Sequence, residues 1–277
     1  MEISARGRTV QASPIRKHKP FADKALEKGI HVYFLNIGDP DIPTPRPIIE
    51  AFHNYDASVI SYGPAQGFPE LRRAIARYYN GIGVPLESED LIITTGGSEA
   101  IHFSLSVVAD PGDEIIVPEP YYTNFNGFAS YAAVKIVPLP LKVENGYRLP
   151  SRKDIEAKIT PRTKAILLCS PNNPTGTVYS AEELYRVVEI VRKYDLFLIS
   201  DEVYREFVYD GLTAKSVLEF EEIKDRAIVV DSISKRFSCC GARIGAAISR
   251  NPEVLQTVLK FAQARLCPPT VEQLAAL

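Results

Sequence analysis

The feature that most restricts this chain is an alternation of short, continuously apolar, β-rich runs with longer amphipathic segments. The runs are Leu91 to Thr94, Glu114 to Pro118, Val134 to Pro138, Ala165 to Cys169, Leu196 to Ser200 and Ala227 to Asp231. They do not alternate with polar residues, which predicts strands buried on both faces. Between them, Pro69 to Asn80, Glu99 to Ala109, Tyr121 to Ala132 and Ala181 to Tyr194 have helical spacing. The last opens on a capping box, Ser180 with Glu183 three residues on. Strand and helix in turn imply right-handed crossovers, and so an α/β fold with a mainly parallel sheet flanked by helices. In such sheets ligands bind beyond the carboxyl ends of the strands.

Composition narrows the partners. A formal charge of -2 over 277 residues gives no bulk attraction to nucleic acid or to an anionic membrane, so an anionic ligand must be held by local groups. Cys169, Cys239, Cys240 and Cys267 form no C-x-x-C pair, so no metal site is expected and a reducing, cytoplasmic compartment fits. No stretch reads as a membrane span or a signal peptide. Residues 1–35 read as a solvated basic arm leading into a smaller domain, with a short helix starting over Asp23 to Lys28, and residues 36–277 as the large domain. Val271 to Leu277 supplies only about two helical turns without a cap, which is the pattern expected of a chain cut short before a C-terminal small domain.

Polar motifs follow several of the strands. Ser232-Ile233-Ser234-Lys235-Arg236-Phe237 leads into Gly241-Ala242-Arg243-Ile244-Gly245. A hydroxyl at Ser232 and a guanidinium at Arg243 could hold a phosphate, and a lysine beside such a clamp suggests a phosphorylated aldehyde as its covalent partner. Ser200-Asp201-Glu202-Val203-Tyr204 sets an acid at a strand end, either as a turn former or as the partner of a ligand cation. Ser170-Pro171-Asn172-Asn173-Pro174-Thr175-Gly176 is at the least a turn. Thr95-Gly96-Gly97-Ser98-Glu99-Ala100 is a glycine-rich strand-to-helix turn whose free N–H groups suit an anion.

Together these motifs resemble the class I/II aminotransferases of fold type I, over nearly the whole chain from Asn36 to Pro269. The resemblance implies pyridoxal phosphate (PLP) as cofactor, a Schiff base on Lys235, and Asp201 on the ring nitrogen. Tyr204 and Asn173 would meet the ring oxygen. The phosphate would go to Gly97, Ser98, Glu99, Ser232 and Arg243, with the Glu99 side chain turned away. Tyr122 would stack on the ring, and Tyr62 would reach the phosphate of the neighbouring subunit in a homodimer with shared sites. Gly38, in Asn36-Ile37-Gly38-Asp39, would offer its N–H to the substrate carboxylate, beside Asn173. The implied reaction moves an amino group between an amino acid and a 2-oxo acid, with Lys235, Asp201 and Tyr204 as the catalytic set. A carbon–sulfur lyase or cyclase, or a non-catalytic PLP-binding dimerisation module, would share most of these residues.

Overall fold

A computed structural model describes residues 1–277. Seven strands, β1 (Leu91–Thr95), β2 (Glu114–Glu119), β3 (Lys135–Pro140), β4 (Thr163–Cys169), β5 (Phe197–Asp201), β6 (Ala227–Ser232) and β7 (Ile244–Ile248), form one sheet in the order β1-β7-β6-β5-β4-β2-β3. All neighbours run parallel except that β7 is antiparallel to both β1 and β6. The mainly parallel sheet read from the sequence is therefore the sheet observed, with one reversed strand.

Eleven helices surround it: α1 (Ala5–Thr9), α2 (Lys19–Glu27), α3 (Arg46–His53), α4 (Pro69–Gly81), α5 (Gly96–Val108), α6 (Phe125–Ala132), α7 (Arg152–Glu156), α8 (Ala181–Lys193), α9 (Ile233–Arg236), α10 (Pro252–Arg265) and α11 (Thr270–Ala275). Successive strand side chains point to opposite faces, and both faces are covered. In β4, Ile166 and Leu168 pack with α4 and α8 on one side, whereas Ala165 and Leu167 pack with α5, α6 and α10 on the other. Fully burying a side chain such as Leu168 stabilises the fold by about 1.5–3 kcal/mol. The capping box of α8 is formed, with Ser180 Oγ accepting from Glu183 N at 3.1 Å and Glu183 Oε2 accepting from Ser180 N at 2.8 Å. No helix is long and apolar enough to cross a membrane.

Several expectations are corrected. The run at Val134 is the edge strand β3, with Lys135, Pro138 and Pro140 exposed, so it is not buried on both faces. Its two prolines fit that edge, where no N–H is needed for a further ladder. The helix expected from Tyr121 starts at Phe125, leaving Tyr121 and Tyr122 in the preceding loop, and the one expected from Glu99 starts already at Gly96. The short N-terminal helix begins at Lys19 instead of Asp23. The arm is largely exposed yet laid against the body: Asn126 Nδ2 donates to Gln11 Oε1 at 2.9 Å, and Asn36 Nδ2 to the Ile15 carbonyl at 3.1 Å. The strand β7 and the helices α1, α3, α7, α9 and α10 were missed.

Candidate active site

The sheet brings the motifs to one edge. Asp201 ends β5, Lys235 follows β6 in the single turn of α9, Asn173 follows β4 and Tyr122 follows β2. Because β7 is antiparallel, Arg243 at its start lies at the same edge, where Ser232 pairs with Gly245 and Thr95 with Ile244.

Lys235 Nζ donates to the carbonyl oxygen of Gly38 at 2.5 Å and lies 3.5 Å from Cys240 Sγ. The Asn36-to-Asp39 segment expected to meet the substrate carboxylate is therefore at the lysine, and Gly38 turns its carbonyl toward the amine. Cys240 donates to the Ser234 carbonyl at 3.2 Å, and burial pushes its thiol up from the usual range.

Asp201 is buried, and the one hydrogen bond to its carboxylate is from Val203 N at 3.3 Å; no cation pairs with it. Burial, with a lesser contribution from the nearby Asp231 carboxylate, pushes it up to about 7 against the partial relief of the Val203 N–H. A carboxylate left alone in a low-dielectric pocket is costly, and a cationic partner removes that cost. Tyr204 accepts from Asn173 Nδ2 at 3.1 Å, and burial followed by Cys169 and Asp201 pushes its phenol up to about 12. The hydroxyl thus keeps its own proton free to donate. Tyr122 accepts from Asn124 Nδ2 at 2.7 Å; burial first, then Asp201, raises it, while Arg243 lowers it. Its ring thus stands in the fields of both charges.

At the other end the charges are positive. Arg243 adopts a left-handed backbone, φ 54°, and makes one hydrogen bond, to the Cys240 carbonyl at 2.9 Å, with no carboxylate partner. Its guanidinium lies against the first residue of α5, since a Cβ on Gly96 would come within 2.4 Å of Nη2. Gly96 also has φ +71°, a left-handed backbone that favours glycine, and a side chain there would push the Arg243 guanidinium aside. The N-terminus of a 13-residue helix and an arginine with no carboxylate partner meet here, and the one acid of that first turn, Glu99, is engaged by Thr95 N and Arg265 instead of by Arg243. The next glycine, Gly97, is near Ser232, whose Cβ would be 3.8 Å from a Cβ built on the glycine.

Ser232 does two local jobs: its hydroxyl caps α9 by accepting from Ser234 N at 3.1 Å and donates to the Ile244 carbonyl at 2.9 Å. Ser98 is in the first turn of α5. The Glu99 carboxylate turns back to accept from Thr95 N at 2.8 Å and pairs with Arg265 at 3.2 Å. Tyr62 is not brought to Lys235 in its own chain; it is 80% exposed and lines an open cleft of about 560 Å³ with Thr95 and Thr270. Sequence reasoning passed over Asn124, Asp231 and Arg236. Only Arg236 had a signal, as a cation directly beside the lysine.

The arrangement can hold a ligand with a cationic group for Asp201, an anionic group for Arg243 and the α5 N–H groups, and an atom that reacts with a primary amine. Comparison with known proteins agrees with that chemistry. The family described as aminotransferase class I and II matches residues 30–277. The aromatic-amino-acid aminotransferase 2 of Thermococcus litoralis is 33% identical over 283 aligned positions, covering 100% of this chain and 70% of that protein. The aspartate/prephenate aminotransferase of Thermus thermophilus is 32% identical, covering 92% of this chain and 66% of that one. The crystal structure of aspartate aminotransferase from Thermotoga maritima superposes with a TM-score of 0.93 at 31% identity, over 99% of this chain and 73% of that one. The chain thus spans about two thirds of the length of these curated relatives. On motif order, sheet and matched extent, it belongs to the class I and II aminotransferases.

Proposed function

We propose that the chain works as a PLP-dependent aminotransferase that moves an amino group between an amino acid and a 2-oxo acid. One observation carries the reading: a buried carboxylate without a cation, Asp201, and a cation without an anion, Arg243 at the α5 N-terminus, share an edge with a lysine amine. A pyridinium and a phosphate answer those two charges, and an aldehyde answers the amine. When bound, PLP supplies the aldehyde and a protonated ring that accepts electron density from the substrate α-carbon.

The chain's own groups then have separable tasks. Lys235 Nζ would hold the cofactor at rest and, once released, would take the proton from the substrate α-carbon and deliver it to the cofactor's aldehyde-derived carbon. Asp201 keeps the ring nitrogen protonated. Tyr204, oriented by Asn173, donates to the ring oxygen. Arg243 and the N–H groups of Gly97, Ser98 and Glu99 hold the phosphate, and Ser232 joins them by turning its hydroxyl. Tyr122 covers one ring face. Gly38 and Asn173 orient the substrate carboxylate.

Tyr62 acts across a homodimer in this reading. Leu35, Ile42, Val59, Ile60 and Tyr62 all stand exposed within one stretch, which supports burial against a second copy. The four unpaired cysteines support a cytoplasmic setting. The test is a single-turnover assay with PLP, an amino acid and no acceptor. The expected result is one equivalent of 2-oxo acid per site, with loss of the cofactor's visible absorption. Continuous release of ammonia and pyruvate would identify a lyase instead.

A further inference from the structure

Beneath the site runs a string of buried charged groups that none of the tasks above employs. Asp231, at the end of β6, is 4% exposed. Its Oδ1 accepts from Ser232 N at 2.7 Å and Arg236 Nη2 at 3.1 Å; its Oδ2 accepts from Arg236 Nη2 and from Tyr79 Oη, each at 3.1 Å. The Arg236 guanidinium lies 4.0 Å from the centre of the Tyr78 ring. From the far side, the Arg205 guanidinium stands 5.2 Å from the Tyr79 ring centre and pairs with Glu202. Glu202 in turn accepts from Ser200 Oγ and from Val217 N, each at 3.0 Å. Since Glu202 follows Asp201, and Arg236 follows Lys235, the string joins the turn bearing the acid to the turn bearing the amine.

Stability alone is a poor reason for such a string, because well-packed apolar side chains of similar size hold turns together at least as well as buried ion pairs do. What charged groups add is direction. Lys235 sits in a helix of only four residues, far too short to hold its own shape. The contact of Arg236 with Asp231 closes a six-residue loop around that helix, and Tyr79 anchors the loop to α4. The lysine is thus tied on both sides, while its amine points the other way, to Gly38.

We propose that Asp231 and Arg236, pinned by Tyr79, are positioning residues that set the reach of Lys235 Nζ, and so govern the covalent bond to the cofactor instead of its noncovalent grip. The proposal rests on the reading of Lys235 given above.

Two ligands separate the effects. PLP can bond to lysine, whereas pyridoxamine phosphate has the same ring and phosphate but no aldehyde. Arg236→Lys keeps the charge and loses the planar guanidinium that reaches the Asp231 carboxylate through Nη2 while lying over the Tyr78 ring. It should weaken PLP binding about tenfold and leave pyridoxamine phosphate within about twofold of the parent. Tyr79→Phe, which removes one hydrogen bond and keeps the packing, should move PLP in the same direction by about threefold; it carries the test if Arg236→Lys does not fold. Equal weakening of both ligands, or no change in either, would overturn the proposal. Failure of the unsubstituted protein to bind either ligand would instead remove the cofactor reading itself, and the control shows this first.

Discussion

Lys235 and Gly38, separated by 197 positions, are joined by a hydrogen bond of 2.5 Å from the lysine amine to the glycine carbonyl. The amine is therefore held toward the segment around Gly38, which forms a wall of the site. Asn36 in that segment also donates to Ile15 in the N-terminal arm, so the arm is coupled to the lysine through one short stretch of chain.

The phosphate end can be tested by deletion. Arg243→Ala removes a charge-assisted contact worth about 1.5–3 kcal/mol. Retention of PLP should fall by about tenfold or more, while pyridoxal, which lacks the phosphate, binds as before. Equilibrium dialysis with the two ligands measures this. Equal loss of both would make Arg243 a support of the fold alone.

Asp201 gives a pH dependence of definite sign. An unfolded aspartate titrates near 3.9, whereas buried Asp201 is pushed up to about 7. Between those values the folded, ligand-free protein holds a proton that the unfolded chain has released. Its stability therefore falls as pH rises from about 4 to about 7 and levels off above. Asp201→Asn should remove this contribution and be more stable than the parent at pH about 8, by on the order of a few kcal/mol, while losing transamination. Denaturant unfolding of both proteins at several pH values checks the point. Parallel pH profiles would contradict it.

Gly245 tests how closely the phosphate end is packed. A Cβ there would stand 2.5 Å from Gly96 C, 2.7 Å from Gly97 N and 2.8 Å from the Asp231 carbonyl oxygen. All three are backbone atoms, so no side chain can turn aside. Gly245→Ala should cost about 2–3 kcal/mol and weaken PLP binding, because the displaced groups include the N–H donors of α5. An unchanged urea midpoint would show that the turn has room.

Much of this was legible in the sequence because the strands under the site are apolar on both faces, and the cofactor motifs sit directly after them. Lys235, Asp201, Asn173 and Arg243 were all found on one edge for that reason. β7 was hidden because Ile244-Gly245-Ala246-Ala247-Ile248 overlaps the motif and is too rich in small residues to stand out as a strand. The helix α10 did carry a signal that was passed over: Asn251 before Pro252 and Glu253, with Val254, Val258 and Ala262 four apart. Its Asn251 Oδ1 accepts from Glu253 N and Val254 N. The link from Tyr79 to Asp231 joins residues 152 positions apart and leaves no local pattern to read.

The identity of the reacting amine is the most direct point of test. The protein is incubated with PLP, reduced with borohydride, digested and mapped by mass. The expected result is a single reduced adduct on the peptide carrying Lys235, lost in Lys235→Ala. An adduct on a different lysine, or no adduct in a protein that retains its fold, would contradict the assignment of Lys235 and the reading of the site built on it.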